Sequence, residues 1–412
     1  MAKNYASIYA NTGDSSSLNQ RFFVKQEGAR GVMAVPAAAD YFFALAGGSL
    51  NFSQPIESSA HRSGRHNNNT IKQKKALEWS LPTYVNIDTA AAQGTAELEG
   101  ALRVLWKSVL GKESVPGAVV YDSSEDPSIT FTMFEVGDKF CKQARGLFCD
   151  SVEISLPGDG QSQLNWSGMG VESYLVGIGK STVNNSGGNT VTVQVGEGKQ
   201  FPVGGLVMII EADGSTRSAD TAAGSARKIT SVAGDVVTLD GAALADADGS
   251  GTPVYLCYYE PVMAGTEGID NPQTGLVGTF TSASIPGTPC VRSATITIAN
   301  GHEIVNYCWG HDSASGSIFV PASRLEVDVS IELNLNKDTV AFYNAVQQFE
   351  AQDLNFKLGD AAGRHLEIDL PKCIFQVPSI SIPDTGSIPI SFEGKAYQTA
   401  LDQADECVVK YA

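Results

Sequence analysis

The chain has 412 residues, 42% hydrophobic and only 18% charged, with 42 glycines; this describes folded, turn-rich, β-leaning material and excludes an intrinsically disordered chain. Such a length exceeds one ordinary domain, so two or three are expected. A formal net charge of −17 argues against nucleic acid or an anionic membrane as the principal partner.

That charge is unevenly spread. Residues 1–75 hold nine Lys/Arg against four acids, a balance of +5 that leaves −22 for the rest. A basic end on an acidic body suits head-to-tail self-association. Seven cysteines without a CxxC pair read as reduced, mostly buried thiols. The opening MAKNYASIYANTGDSSS has no apolar signal-like run, and no stretch approaches 18 apolar residues, so a soluble protein without a secretory signal is expected.

In chain order, residues 1–35 are polar and read as an N-terminal arm. The run YFFALAGGSLNF (41–52) predicts a strand. Residues 53–75 form a long polar loop without periodicity, and Leu77 to Ile87 alternates as a strand in which Pro82 favours an edge position. From Thr95 to Gly111 the spacing of Leu98, Leu102, Leu105 and Val109 predicts a helix that stops at Gly111. Strands follow at 129–136, 147–156 and 163–166.

Residues 175–262 carry short strands at regular spacing without a helical pattern, which predicts a small all-β insert. Its flanks, Ser186-Gly187-Gly188 and Ala264-Gly265-Thr266, read as hinges. Beyond it, 294–298 is a strand, 301–321 a loop, and 325–335 alternates cleanly. A helix is expected over 338–351 with Asp338 as N-cap and Phe342, Ala345 and Phe349 on its buried face. Three strands, at 354–358, 366–377 and 388–392, complete the chain.

Two windows in this order share one pattern. Ile154-Ser155-Leu156-Pro157, then Gly160, Leu164, Trp166 and Gly168, is echoed at identical spacing by Ile380-Ser381-Ile382-Pro383, Gly386, Ile390, Phe392 and Gly394. Each reads as a strand, a Pro-containing turn and a returning strand. The order strand, loop, strand, helix and three strands also occurs twice, which points to a duplicated fold.

Chemistry-bearing motifs are weak. Gly177-Ile178-Gly179-Lys180-Ser181 resembles the end of a phosphate-binding loop, but Tyr174 stands where the leading Gly is needed, so a flexible junction is the better reading. Asp246-Ala247-Asp248-Gly249 lacks the spacing and distal Glu of a calcium loop. His61, His66, His302 and His311 have no partners at metal-ligand spacing, and no hydrolase signature occurs. No catalytic, cofactor or metal residue is assigned, and a non-enzymatic protein is expected. Arg62, Arg65, Lys72, Lys74 and Lys75, with no intervening acid, read as a docking loop for an acidic face of another subunit.

Taken together, FVKQEGARGVMAVP, the SGRHN loop, CDSVEISLPGDGQSQLNWSGMG, RSATITIANGHEI and LPKCIFQVPSISIPDTGSIPISFEGKAY resemble, in that order, the major tail tube protein of long non-contractile-tailed bacteriophages. The resemblance implies a mainly β, β-rich α+β chain: an arm (1–35), a first tube domain (36–174), a small β insert on the tube exterior (175–262) and a second tube domain (263–412). Each tube domain would be a β-sandwich with one flanking helix. Inner sheets would join across subunits around a channel, and segments 53–75 and 301–321 would pack onto the neighbouring ring.

Implied partners are other copies of the chain, forming trimeric rings of pseudo-six-fold symmetry, or rings of six chains if only one tube domain lines the channel, then the tape-measure protein, the tail terminator and distal tail proteins. DNA would pass transiently through the channel, and no membrane is involved. The implied location is the virion tail, after synthesis in the host cytoplasm. The repeated hairpin residues Pro157, Gly160, Trp166, Pro383, Gly386 and Phe392 would be structural. An alternative reading is a virion or surface adhesin whose insert binds glycans through aromatics such as Phe201, Tyr255, Tyr258 and Tyr259.

Overall fold

The computed structural model describes residues 3–16, 19–58, 70–72, 75–87, 100–114, 119–123, 129–182, 188–221, 224–244, 254–263, 278–282, 290–305, 318–321, 323–359, 365–401 and 403–411. The chain is mainly β, with large antiparallel sheets and three α-helices among the described residues.

It opens with α1 (Tyr5–Ala10), β1 (Arg21–Gln26), β2 (Tyr41–Phe42) and β3 (Ser49–Ser53). A short hairpin of β4 (Ile56–Ser58) and β5 (Thr70–Lys72) leads into β6 (Ala76–Tyr84) and α2 (Gly100–Leu110). β7 (Gly111–Ser114), β8 (Val119–Ser123) and β9 (Phe131–Val136) follow. The long β10 (Cys141–Pro157), β11 (Gln163–Gly170) and β12 (Glu172–Val176) end this part.

The next segment holds β13 (Ile178–Lys180), β14 (Thr190–Thr192), β15 (Leu206–Ile210), β16 (Arg227–Ala233), β17 (Val236–Leu239) and β18 (Tyr255–Tyr258). They form one six-stranded sheet in the order β13-β18-β15-β16-β17-β14. The last part comprises β19 (Gly278–Thr281), β20 (Val291–Ala299), the hairpin β21 (His302–Val305) and β22 (Ile318–Pro321), and β23 (Glu326–Asn334). It closes with α3 (Lys337–Gln347), β24 (Gln352–Gly359), β25 (His365–Phe375), β26 (Pro389–Ala396) and β27 (Val408–Tyr411).

The first and last parts repeat one pairing scheme. β3 pairs with β6, β6 with β11 and β11 with β10; β20 pairs with β23, β23 with β26 and β26 with β25. On the other layer β10 lies between β9 and β12, with β1 beyond β9. β25 lies in the same way between β24 and β27, with β19 beyond β24. A helix follows the second strand each time, and each second strand is preceded by a small hairpin.

β10 serves both layers because it bends. Its pairing with β9 slips between Ala144 and Leu147, and Gly146 there has φ 62. A Cβ at Gly146 would sit 2.6 Å from Val171 Cγ2, so the bend needs glycine twice over. The bend leaves the Gly146 N–H without a ladder partner, and buried Glu27 accepts it together with the Gly31 N–H from the turn after β1. Gly146 N donates to Glu27 Oε1 at 2.8 Å and Gly31 N to Oε2 at 2.7 Å, while the Thr130 and Thr132 hydroxyls donate at 2.7 and 3.0 Å.

Several expectations need correction. Residues 1–35, read as an arm, are in part built into the fold: β1 pairs with β2 and β9, and Tyr5 is buried against the insert core. Apolar Phe22, Phe23 and Val24 supply the burial that the surrounding polar composition hides. The 41–52 run breaks into β2 and β3 at a turn where Gly47 has φ 104. β6 is not an edge strand, because it pairs with both β3 and β11. Pro82 is tolerated there since β3 ends at Ser49 opposite Ser80, and the Pro82 carbonyl accepts from Leu45 N at 2.7 Å past that end.

Asn336, rather than Asp338, caps α3, its side chain accepting from Asp338 N and Thr339 N at 2.9 Å. Phe342 and Ala345 are buried, but Phe349 lies past the helix end in a left-handed conformation, φ 57, and is exposed. Gly177–Ser181 is no flexible junction: β13 pairs with β18, and a Cβ at Gly179 would come within 2.9 Å of Phe201. Of the expected hinges only Gly188 lies within the described residues. The insert packs tightly on the first part, sharing a core with Phe23, Phe134 and Tyr174. Buried Gln143 clasps its Leu206, accepting from N at 2.6 Å and donating to O at 2.8 Å.

Candidate assembly edges

Within one chain the two repeated sets are already joined. β10 and β20 pair over Ser151 to Pro157 against Ala299 to Ser293, with Ile154 opposite Ile296 and Val152 opposite Ile298, all four fully buried. The result is a continuous sheet in the order β3-β6-β11-β10-β20-β23-β26-β25.

The returning strands of the two repeated windows place their aromatics alike. Trp166 on β11 meets Trp106 of α2 edge to face, with ring centroids 4.8 Å apart at 80°, and Phe392 on β26 meets Phe342 of α3 at 4.8 Å and 81°. The paired glycines match as well. A Cβ at Gly168 would lie 2.1 Å from Phe148 O, and one at Gly394 would lie 2.5 Å from Ile374 O. Glycine therefore lets the returning strand sit against its partner's backbone in both places. The turns differ: Gly386 has φ 94, while Gly160 packs on Pro157.

These matches superpose Ile154 on Ile380 and Ile296 on Leu50, and they expose a contrast. In the first set, residues 151–157 lie between β11 and β20. Their counterparts 377–383 leave β26 after Gln376 N donates to Glu393 O at 2.8 Å, and they make no backbone hydrogen bond to any described residue. Val377, Ile380 and Ile382 are 42%, 41% and 75% exposed, where Ile154 and Leu156 are 0% and 8%. At the opposite end of the sheet β3 pairs, among the described residues, with β6 alone. Its Phe52 is 41% exposed, where the equivalent Ile298 is fully buried. Among the described residues the sheet thus ends in two different open edges, each the half of a joint that the chain makes once internally.

One face of this sheet is core and the other polar. The polar face carries Glu78, Glu153, Glu326, Asp328, Glu332 and Glu393. Its bases are neutralised locally: Lys395 pairs with Glu326 at 2.8 Å and Asp328 at 3.3 Å, and Arg292 pairs with Glu332 at 2.9 Å. Excess negative charge remains.

The basic docking loop is only partly described. Arg62, Arg65 and Lys74 lie outside the described residues, and Lys72 is the last residue of β5. Lys75 reaches within 3.9 Å of Glu172 and lies 5.7 Å from the Phe52 ring centroid. His61, His66, His311 and the stretch 246–249 also lie outside. His302, the first residue of β21, is buried, its backbone N donating to Asp150 Oδ1 at 3.0 Å. Among the described residues no group of three His, Cys, Asp or Glu could hold a metal ion, and no helix is long and apolar enough to cross a membrane.

Phe201, Tyr255, Tyr258 and Tyr259 are all buried, so none of them offers a stacking platform for a sugar. Burial also pushes the Cys141, Cys149 and Cys257 thiols well up, and Cys373 to about 12, which leaves them protonated and unreactive. What sequence reading missed is the pair of edges, since exposure at Ile380 and Ile382 follows from the absence of a neighbouring strand and not from composition. No protein-family model matches the chain, and no curated protein matches it at a significant level.

Proposed function

We propose that this chain is a structural subunit that joins copies of itself edge to edge into a closed ring, and that such rings stack as the tail tube of a long-tailed bacteriophage. The observation that carries this reading is the internal joint: β10 and β20 connect two repeats of one pairing scheme, and the unused halves of the same joint face outward at opposite ends of the sheet. A heterologous contact of this kind closes into a ring when its rotation permits. Closure also removes exposed strand edges, which otherwise template uncontrolled pairing.

On this reading 36–174 and 263–412 are two tube domains with α2 and α3 as flanking helices, and three chains make a pseudo-six-fold ring. The acidic polar face would line the channel, where it repels the phosphate backbone and lets DNA slide. The insert would sit outside. Negative-stain microscopy with light scattering on the purified protein tests the proposal. Rings or tubes with three chains per turn support it; a monomer at every accessible concentration sinks it.

A further inference from the structure

We infer that residues 377–383 are an addition strand that pairs antiparallel with β3 of a second copy of this chain, in the register of the internal joint. This rests on the ring reading and adds to it a segment, a partner strand and a residue-by-residue pairing.

The internal joint supplies the template. Ser155 faces Thr295 and Ile154 faces Ile296. Carried through the superposition of the repeats, Ser381 faces Ser49 of the second copy and Ile380 faces Leu50. Side-chain direction agrees: Leu50 is buried on the core face, as Ile296 is, and β3 presents Ser49 and Asn51 on the polar face. Ile380 and Ile382 would then enter the core layer that Ile154 and Leu156 occupy, which accounts for their exposure in the lone chain.

Hydrogen bonding fits as well. Gly158 N donates to Arg292 O at 2.8 Å and Asn300 N to Asp150 O at 2.7 Å, and the alternation between them makes Ser155–Thr295 a non-hydrogen-bonded pair with close side chains. Ser381 and Ser49 inherit that geometry. Pro378, at the Val152 position, cannot donate to a neighbouring strand. It weakens the edge against indiscriminate pairing while the Ile380 and Ile382 donors remain. The arriving strand would complete a ladder whose near side, β26, is already in place.

Paired cysteines read the register directly. In a Cys290→Ser background, Ser49→Cys with Ser381→Cys should form inter-chain disulfides about tenfold faster than the two-residue slip control Ser49→Cys with Ser379→Cys, because a disulfide needs Cβ atoms ~3.5–4.5 Å apart. Equal rates, or a preference for the control, in protein that still forms rings would overturn the register and leave the ring reading standing. Absence of both cross-links and rings would overturn both. A second variant, Ile380→Asp with Ile382→Asp, should keep the thermal melt of the single chain and lose self-association; association at the parental level would also overturn the inference.

Discussion

Replacing Glu27 should unlock the bend of β10, and the size of the effect follows from the bonds the carboxylate accepts. Oε1 takes Gly146 N and the Thr132 hydroxyl, and Oε2 takes Gly31 N and the Thr130 hydroxyl. In Glu27→Gln one of these oxygens becomes an NH2 group. The threonine hydroxyl beside it can rotate to accept, but the glycine N–H cannot. One backbone donor is therefore stranded whichever way the amide turns, Gly146 N in full burial or Gly31 N in part, at a cost of about 1–3 kcal/mol. Glu27→Ala strands both donors, which raises the expected loss to about 2–6 kcal/mol. Urea unfolding followed by tryptophan fluorescence measures both, and hydrogen exchange at Gly146 localises the change. The reasoning fails if Glu27→Gln unfolds at the parental midpoint, or if Gly146 N stays protected in the Ala variant.

Gly168→Ala and Gly394→Ala should each destabilise by about 1–3 kcal/mol through overpacking against a strand carbonyl, with the larger loss at Gly168, where the approach is closer; thermal melts check the order. Glu113 predicts an acid-labile contact. Burial works to raise its carboxyl, but bonds from Arg103 at 2.9 Å and Lys107 at 3.2 Å outweigh it and hold the group below its ordinary value. A depressed carboxyl contributes stability above its unfolded value and loses it as pH falls through the folded one. Glu113→Gln should therefore lower stability at neutral pH and converge on the parental protein as pH falls below the folded value, so that denaturant unfolding across pH shows a flatter acid limb.

Much of the β content was legible, because alternation is local. The 326–334 strand buries every second residue from Val327 to Leu333, as its sequence pattern says. The α2 stripe of Leu102, Leu105 and Val109 is buried, and Gly111 follows the helix with φ 90. The repeated windows were legible for the same reason, as fixed spacing within fifteen residues, but only the first folds as a hairpin: Ile380–Pro383, expected as a strand, lies outside the ladders. Long-range facts were not. Glu27 reads as one more surface acid until Gly146, far along the chain, is folded against it. Pro82 reads as an edge signal because a sequence cannot say where the neighbouring strand stops. The capping choice between Asn336 and Asp338 is two residues wide, and either side chain suits the role chemically. The docking loop stays largely a sequence-level assignment, with Lys75 alone shown to have charged and aromatic neighbours.

The docked N-terminal segment has a consequence for how the protein is made. Lys3 pairs with Glu260 at 2.7 Å, the Tyr5 hydroxyl donates to the same carboxylate at 3.0 Å, and Tyr5 N donates to Gly214 O at 2.7 Å. At about 5–20 residues per second of synthesis, roughly 10–50 s pass on the ribosome between Tyr5 and its partner Glu260. Lys3 and Tyr5 thus emerge long before the carboxylate that holds them, and α1 waits as a short exposed peptide until the insert is complete. A nascent chain stalled before residue 260 should leave Tyr5 open to protease, and one stalled well after it should not.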